Sequence, residues 1–445
     1  MANLQAAVDD CAITRKRKNA MFYGWKLLVG LCGIYFLTTG SVFYGFGVVL
    51  PAMIADMGWS RTEASVGFSV LALVVGMAGP VVAMAIKRFG ARRTIALGGV
   101  MAAAGAISVY FTTSLLQYYL SVGFLVGIGM AMQTVIPGTQ LVTNWFARRR
   151  ALALGIFMAM GGAGAFVAAP AFAYLVEISG NWRLIWAIMA LNTLISSIIA
   201  WIIVRDRPED VGTFTDGIDP DAAPVTPAGA AVRKQVHQTA ESWEVRNAIR
   251  TLPFWLIIAA ATFVVAGGTI VNSQGVIHLQ DLGIDTVTAG AALGTVGMLG
   301  ACGRLMTGLL GDRFDPRFML GGGLVVELLA VLLFNFATTE PLAYLFAVLF
   351  GAGNGMAVVA SPALVANYFG HKNYAAIIGI RGLIITPVAA IGPLIAAASF
   401  DMVGSYGPVF YGFALLAVIP AAAALLMRPP VPKVVSAVTQ TQTAP

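Results

Sequence analysis

Apolar residues run in long stretches along this chain, parted by short polar breaks. A helix needs about 20 consecutive apolar residues to cross a bilayer core about 30 Å thick. The stretches predict helices over 25–53, 64–86, 94–112, 117–144, 151–178, 182–204, 253–279, 287–311, 317–337, 342–367, 374–399 and 407–427. Between the sixth and seventh lies "RDRPEDVGTFTDGIDPDAAPVTPAGAAVRK", whose Pro, Asp and Ala content reads as a flexible linker. "ESWEVRNAIRTLPFW" follows and predicts a short amphipathic helix at the membrane surface, with Pro253 opening the next span.

The expected fold class is an all-α membrane protein with 12 transmembrane helices in two pseudo-symmetric six-helix bundles. The expected organisation is a cytoplasmic tail over 1–24, a bundle over 25–204 and a cytoplasmic linker over 205–252. A second bundle over 253–428 and a cytoplasmic tail over 429–445 complete it.

Composition agrees with the pattern. Of 445 residues 58% are hydrophobic and 11% charged, and the mean hydropathy is +0.83; soluble domains are about a quarter charged. Fifty glycines suit close packing of helices in a bilayer. Cys11, Cys32 and Cys302 lie far apart and suggest neither a disulfide framework nor a metal site. The opening residues, including "TRKRKNA", are polar and basic, without a signal-peptide pattern.

The net charge of +7 would suit a nucleic-acid binder if the basic residues were not so placed. All but four of the 27 Lys and Arg fall at the termini or in the loops after spans 2, 4, 6, 8 and 10. That asymmetry is an orientation signal, with both termini cytoplasmic. Arg61 and Arg183 fall on the other side; Arg304 and Arg381 fall inside spans.

The halves echo each other. Span 4 and its exit read "GIGMAMQTVIPGTQLVTNWFARRRALALGI"; span 10 and its exit read "GAGNGMAVVASPALVANYFGHKNYAAIIGI". Duplicated six-span halves are a transporter architecture, with a binding site near the midplane between them.

Arg304 precedes Asp312 by eight residues, and Arg381 follows Asn373 by eight. At about 1.5 Å per residue both reach about 12 Å in from the cytoplasmic helix ends. A central charge costs at least about 3 kcal/mol even on the lenient insertion scale. A water-filled cavity lowers that cost and a bound anion offsets it, and the guanidinium fork suits a carboxylate. The alternative is an internal ion pair with Glu327, the acid near the middle of span 9. One acid cannot neutralise two arginines. Glu327 is also a candidate coupling residue, against a purely structural role.

A family resemblance is carried by the turns. "GLLGDRFDPR" after span 8 holds Gly308, Asp312, Arg313 and Arg317 in the pattern of a gating turn, with Asp315 where a Gly is usual. "AMAIKRFGARR" after span 2 keeps Arg88, Gly90, Arg92 and Arg93, with Ala83 for the Gly and Lys87 for the Asp. On these motifs the chain resembles a major facilitator superfamily transporter across nearly its full length. "FYGWKLL", "WFARRRALALGI" and "CGRLMTGLLGDR" resemble its monocarboxylate porter group, which includes the oxalate:formate antiporter. The resemblance implies that Arg304 is a carboxylate ligand. It implies a second cation at Arg381, seven residues after the Asn373–Tyr374 pair. Gly162, Asn354 and Val358 align with three aromatic positions of the oxalate chamber, so a roomier chamber and a larger organic anion are expected.

The other expected ligand-binding side chains are Tyr44, Gln133, Asn272 and Asn354, each with a helix–helix hydrogen bond as its alternative. His278, near the outer end of span 7, reads as an interfacial histidine. The expected activity is alternating-access transport of organic carboxylates by exchange or proton symport. Efflux of other small molecules and a non-transporting anion sensor are the rivals. The expected partners are a small organic carboxylate, protons or a counter-anion, and membrane lipid, with no nucleic acid. A monomer in the bacterial inner membrane is expected, with no cofactor, no metal and no enzymatic chemistry.

Overall fold

A computed structural model describes residues 22–146, 149–217, 237, 239, 243–310, 314–370 and 373–430. The terminal tails, most of the linker, and Asp312 and Arg313 lie outside the described residues.

The helices are α1 (Tyr23–Met57), α2 in two arms (Arg61–Met77 and Gly79–Phe89), α3 (Ala91–Tyr110) and α4 (Leu115–Trp145). They continue with α5 (Arg150–Ser179), α6 (Trp182–Ile203), α7 (Leu252–Asp281) and α8 (Thr286–Leu310). The last are α9 (Pro316–Phe334), α10 (Glu340–Phe369), α11 (Tyr374–Val403) and α12 (Gly407–Leu426). Eleven are long and apolar enough to span a membrane, and twelve if the arms of α2 count as one.

Local chemistry sets the helix ends. Ser60 and Glu63 form a reciprocal capping box at the start of α2. Asn181 and Asp315 cap α6 and α9 through their side chains. Proline occupies the first turn of α7, α9, α10 and α12, where no backbone donor is lost.

Three helices are irregular. The arms of α2 meet at 53°, just before Pro80. α4 breaks at Thr134 (φ −110°, ψ −117°). α1 widens into a π-helical turn over Thr39–Tyr44. The span predicted over 64–86 is therefore a bent pair, because Gly79–Pro80 interrupts the helical hydrogen bonds inside an apolar run that hydropathy alone reads as continuous.

Within the first half α3 packs on α6, and α1 on α5 and α6. In the second, α9 packs on α10 and α12, α8 on α10, and α7 on α11. The halves meet along α5 and α8, where a Cβ on Gly162 would lie 2.1 Å from the Gly297 carbonyl oxygen. Taking the face that carries the helix ends Tyr23 and Leu426 as inner, the halves also meet where the outer arm of α2 packs on α11 and the outer part of α1 on α7. The inner arm of α2 turns instead to α3 and α4 of its own half.

The predicted surface helix before α7 is a single turn, Val245–Ala248, docked on protein. Trp243 N–H donates to the Phe369 carbonyl (3.2 Å) and Asn373 Nδ2 to the Trp243 carbonyl (2.8 Å). Ala248 is fully buried. The apolar side of this segment is thus covered by the inner ends of α10 and α11.

Candidate substrate site and gates

Arg304 projects from the inner half of α8 toward the other bundle. Its Nη1 lies 3.5 Å from the Met158 carbonyl oxygen of α5. Tyr44 and Tyr35 of α1 both lie within electrostatic reach of it. The Tyr35 ring packs on Phe157 of α5 (centroids 4.8 Å apart). Arg304 thus touches two helices of the first half.

Arg381 stays within the second half. Its Nη2 donates to Ser361 Oγ of α10 at 2.8 Å. Gly379 and Gly382 beside it border open space, since a Cβ at either would meet nothing within 4 Å. Among the described residues neither arginine has a carboxylate partner, and the Nε of each is buried without a hydrogen bond. Thr39 Oγ1 on α1 and Asn272 Oδ1 on α7 share that condition. An unpartnered buried polar atom costs about 1–3 kcal/mol, so these atoms mark where a ligand or water would be stabilising.

The ion-pair alternative fails on geometry. Glu327 is fully buried, and neither carboxyl oxygen has a hydrogen-bond partner among the described residues. Its Oε1 lies over Gly267 of α7, 2.1 Å from where a Cβ would stand, with Phe413 of α12 beside it. Asn354 lies within electrostatic range, but its amide donates to the Val264 carbonyl at 2.9 Å.

The remaining expected ligands separate. Asn272 is buried where α7 crosses α1, its backbone oxygen facing Gly47. Gln133 is held inside the first bundle: Thr38 Oγ1 donates to its Oε1 (3.0 Å) and its Nε2 reaches the Thr193 carbonyl (3.4 Å). Gly98 and Gly99 of α3 make room for it. Gly162 lies in the α5–α8 seam, where an aromatic ring has no space. His278 is buried rather than interfacial, edge-on to Phe334, Tyr406 and Phe410, with Nε2 3.2 Å from the Phe334 carbonyl oxygen.

A profile of the Major Facilitator Superfamily matches residues 31–310 and 275–445. The chain belongs to the Major Facilitator Superfamily. Among its relatives, monocarboxylate transporter 12 of Mus musculus is 24% identical over 415 residues, covering 88% of this chain and 83% of that protein. Monocarboxylate transporter 2 of Homo sapiens is 23% identical over 357 residues, covering 76% and 71%. Monocarboxylate transporter 13 of Bos taurus is 27% identical, over 65% of this chain and 62% of that protein. Among solved structures, a bacterial homolog of the human lysosomal transporter Spinster, inward-facing and occupied, has a TM-score of 0.65 at 17% identity, over 92% of this chain and 97% of that one. A nucleoside transporter scores 0.67 at 14% identity, over 90% and 99%. The fold and relatives are those of membrane transporters, not enzymes, and the relatives are of the monocarboxylate porter type.

In this superfamily member the α2–α3 turn, which lacks the usual Asp, takes its carboxylate from the end of α6. Asp206 Oδ1 accepts from Arg92 N–H (2.8 Å). Gly90 adopts φ 81°, and a Cβ there would meet Asp206 Oδ2 at 2.3 Å, so only glycine fits this turn. The Arg92 guanidinium donates to the Trp201 carbonyl and covers the Trp201 ring at 4.6 Å. Arg88 is exposed, its guanidinium 5.4 Å from the Phe89 ring centroid. Gly308, on the last turn of α8, borders open space.

A cluster at the outer end escaped the sequence reading. Arg61 of α2 meets Asp281 of α7 with both terminal guanidinium nitrogens, at 2.5 and 2.7 Å, and its Nη1 lies 2.8 Å from the Tyr406 hydroxyl. Asp401, in the last turn of α11, accepts from the backbone N–H groups of Arg61 and Thr62. Tyr406 donates to Gln274, which donates to Ser65 (3.0 and 2.8 Å). Burial pushes the Tyr406 phenol above its ordinary range, so it keeps the proton it donates. The other outer basic residue, Arg183, pairs with Asp56 at 2.7 Å. The available signal was the pair of arginines that break the inside-positive pattern, facing lone acids.

Proposed function

We propose that this transporter carries organic carboxylate anions by alternating access, with Arg304 and Arg381 as the anion ligands. The carrying observation is that both guanidiniums are inside the membrane-spanning helices and, among the described residues, have no carboxylate partner and a buried Nε that lacks an acceptor. A carboxylate would supply charge and acceptors together. Arg304 already reaches α1 and α5 of the opposite half, so closure around an anion would draw the bundles together there. Tyr44 and Asn272 complete the proposed site. Asn354 acts one step removed, beside Glu327, and Gln133 supports α4 from within its bundle.

The similarity to monocarboxylate transporters, at 23–27% identity, supports the substrate class. The distribution of Lys and Arg supports cytoplasmic termini. A monomer is proposed because one chain supplies both halves of the proposed site, and a bacterial inner membrane because of the resemblance to the bacterial oxalate:formate antiporter. The turns around Arg88, Gly90 and Arg92, and around Gly308, Asp312 and Arg313, are the proposed inner gate.

Glu327 is the proposed coupling group. A lone ionised carboxylate buried in this setting would cost several kcal/mol, which supports a neutral acid that carries a proton in this conformation. Its separation from both arginines supports proton symport over its use as their counter-charge.

The test is a thermal-shift screen of the full chain against carboxylic acids and amines, followed by uptake into proteoliposomes. Stabilisation by carboxylates, with uptake of the same compounds, is expected. Stabilisation by lipophilic cations alone would favour efflux, and binding without uptake a sensor.

A further inference from the structure

On the bilayer-facing side of the first bundle, α3 and α6 enclose a groove of about 520 Å³ at the inner end. Its floor is made by two small residues. Ser197 Oγ donates to the Ala96 carbonyl at 2.7 Å, so the floor presents no open polar group. Leu97, Ile198, Trp201 and Ile202 form walls that are about half exposed. Trp201 is held in place by Arg92, which covers its ring and donates to its carbonyl.

One charged residue lines this groove. Arg93, in the first turn of α3, is exposed and has no hydrogen-bond or ion-pair partner among the described residues. The nearby acid, Asp206, is engaged by the backbone of Arg92. Seven residues separate Arg93 from Val100, the far wall of the groove; at about 1.5 Å each, the apolar part runs about 10 Å below the guanidinium. A free cation at the interfacial end above an apolar channel of this length suits a phosphate joined to the upper part of an acyl chain, the remainder of which runs on in the bilayer.

We propose that this groove binds an anionic glycerophospholipid, its headgroup phosphate on Arg93 and one acyl chain between α3 and α6. A soluble phosphate would leave the apolar walls bare, and a zwitterionic lipid would gain less from an unpaired arginine. The site is separate from the carboxylate site, on the outer surface of the bundle, and does not depend on what the transporter carries.

The test uses the full chain, delipidated in neutral detergent, with phosphatidylglycerol and phosphatidylcholine as probes in native mass spectrometry. Retention of one phosphatidylglycerol in preference to phosphatidylcholine is expected. Arg93→Gln, a surface change, should weaken that binding about fivefold, the effect of about 1 kcal/mol per basic residue at an anionic surface. Ala96→Phe fills the floor and should abolish it, with circular dichroism confirming the fold; if that variant does not fold, Arg93→Gln alone decides. Equal retention of the two lipids would overturn the proposal. So would unchanged binding in Arg93→Gln, or displacement of the lipid by inorganic phosphate.

Discussion

Arg61 and Asp281 join the two halves of the transporter at its outer end through two guanidinium–carboxylate hydrogen bonds, at 2.5 and 2.7 Å. Both side chains are partly shielded, at 16% and 28% exposure, and the Arg61 guanidinium stacks 3.5 Å from the Phe400 ring centroid. Such a pair contributes about 1 kcal/mol. Arg61→Ala and Asp281→Asn should each shift the conformational population toward an open outer end. Spin-label distances across α2 and α7 would read this as a longer component, and a double-mutant cycle on thermal unfolding should give the pair's coupling. Additive single effects would deny the pair a role as latch.

Ser361 holds the Arg381 guanidinium at 2.8 Å. Ser361→Ala should weaken carboxylate binding about tenfold or more, in keeping with about 1.5–3 kcal/mol for a hydrogen bond to a charged group, while Arg381→Gln should abolish it. Both variants should keep the wild-type circular dichroism. Calorimetry with a carboxylate found by the thermal-shift screen is the measurement.

Glu327→Gln keeps the shape of the side chain and removes its titration. Folding and carboxylate binding should survive. Uptake that accelerates as pH falls in the wild type should become pH-independent in the variant. A variant with the wild-type pH profile would return Glu327 to a packing role.

A side chain at Gly162 would strike the Gly297 carbonyl across the α5–α8 seam. Gly162→Val should cost about 1–3 kcal/mol through overpacking, lower the Tm and stop transport. Uptake at the wild-type rate would show that this seam opens freely.

In the α7–α8 turn, hydrogen bonds from the Thr288 side chain and backbone hold the Asp285 carboxyl below its ordinary range. A carboxylate depressed in the folded state adds stability above its unfolded value of about 3.9 and loses it as pH falls through the folded value. Asp285→Asn should therefore be less stable than the wild type at neutral pH. The gap should close in acid, as read by Tm against pH.

The apolar spans were legible because a bilayer dictates their length, and the positions of Arg304 and Arg381 along their helices followed from counting residues. Direction around the helix axis was not legible. Gln133 and Tyr44 are both polar residues inside apolar spans, yet one faces Thr38 and Thr193 within its bundle and the other faces Arg304. Glu327 had the right depth to meet either arginine but points to Gly267 and Phe413. The bend of α2 hid because Gly79 and Pro80 lie within an apolar run. The turn before α7 docks on α10 and α11 through Trp243 and Asn373, contacts too distant in sequence for periodicity to register.

The wide turn over Thr39–Tyr44 decides which tyrosines Arg304 can reach. At about 100° per residue, positions nine apart on a regular helix point in nearly opposite directions. Tyr35 and Tyr44 are nine apart, yet both lie within electrostatic range of the same guanidinium. A π-helical turn acts as one inserted residue, which resets the phase so that the pair is about 80° apart instead. Rewinding this turn as regular helix with every residue kept would swing Tyr44 away from the cation, whereas deleting one residue along with the turn would keep it there, so the placing of both phenols near Arg304 is a product of backbone phase.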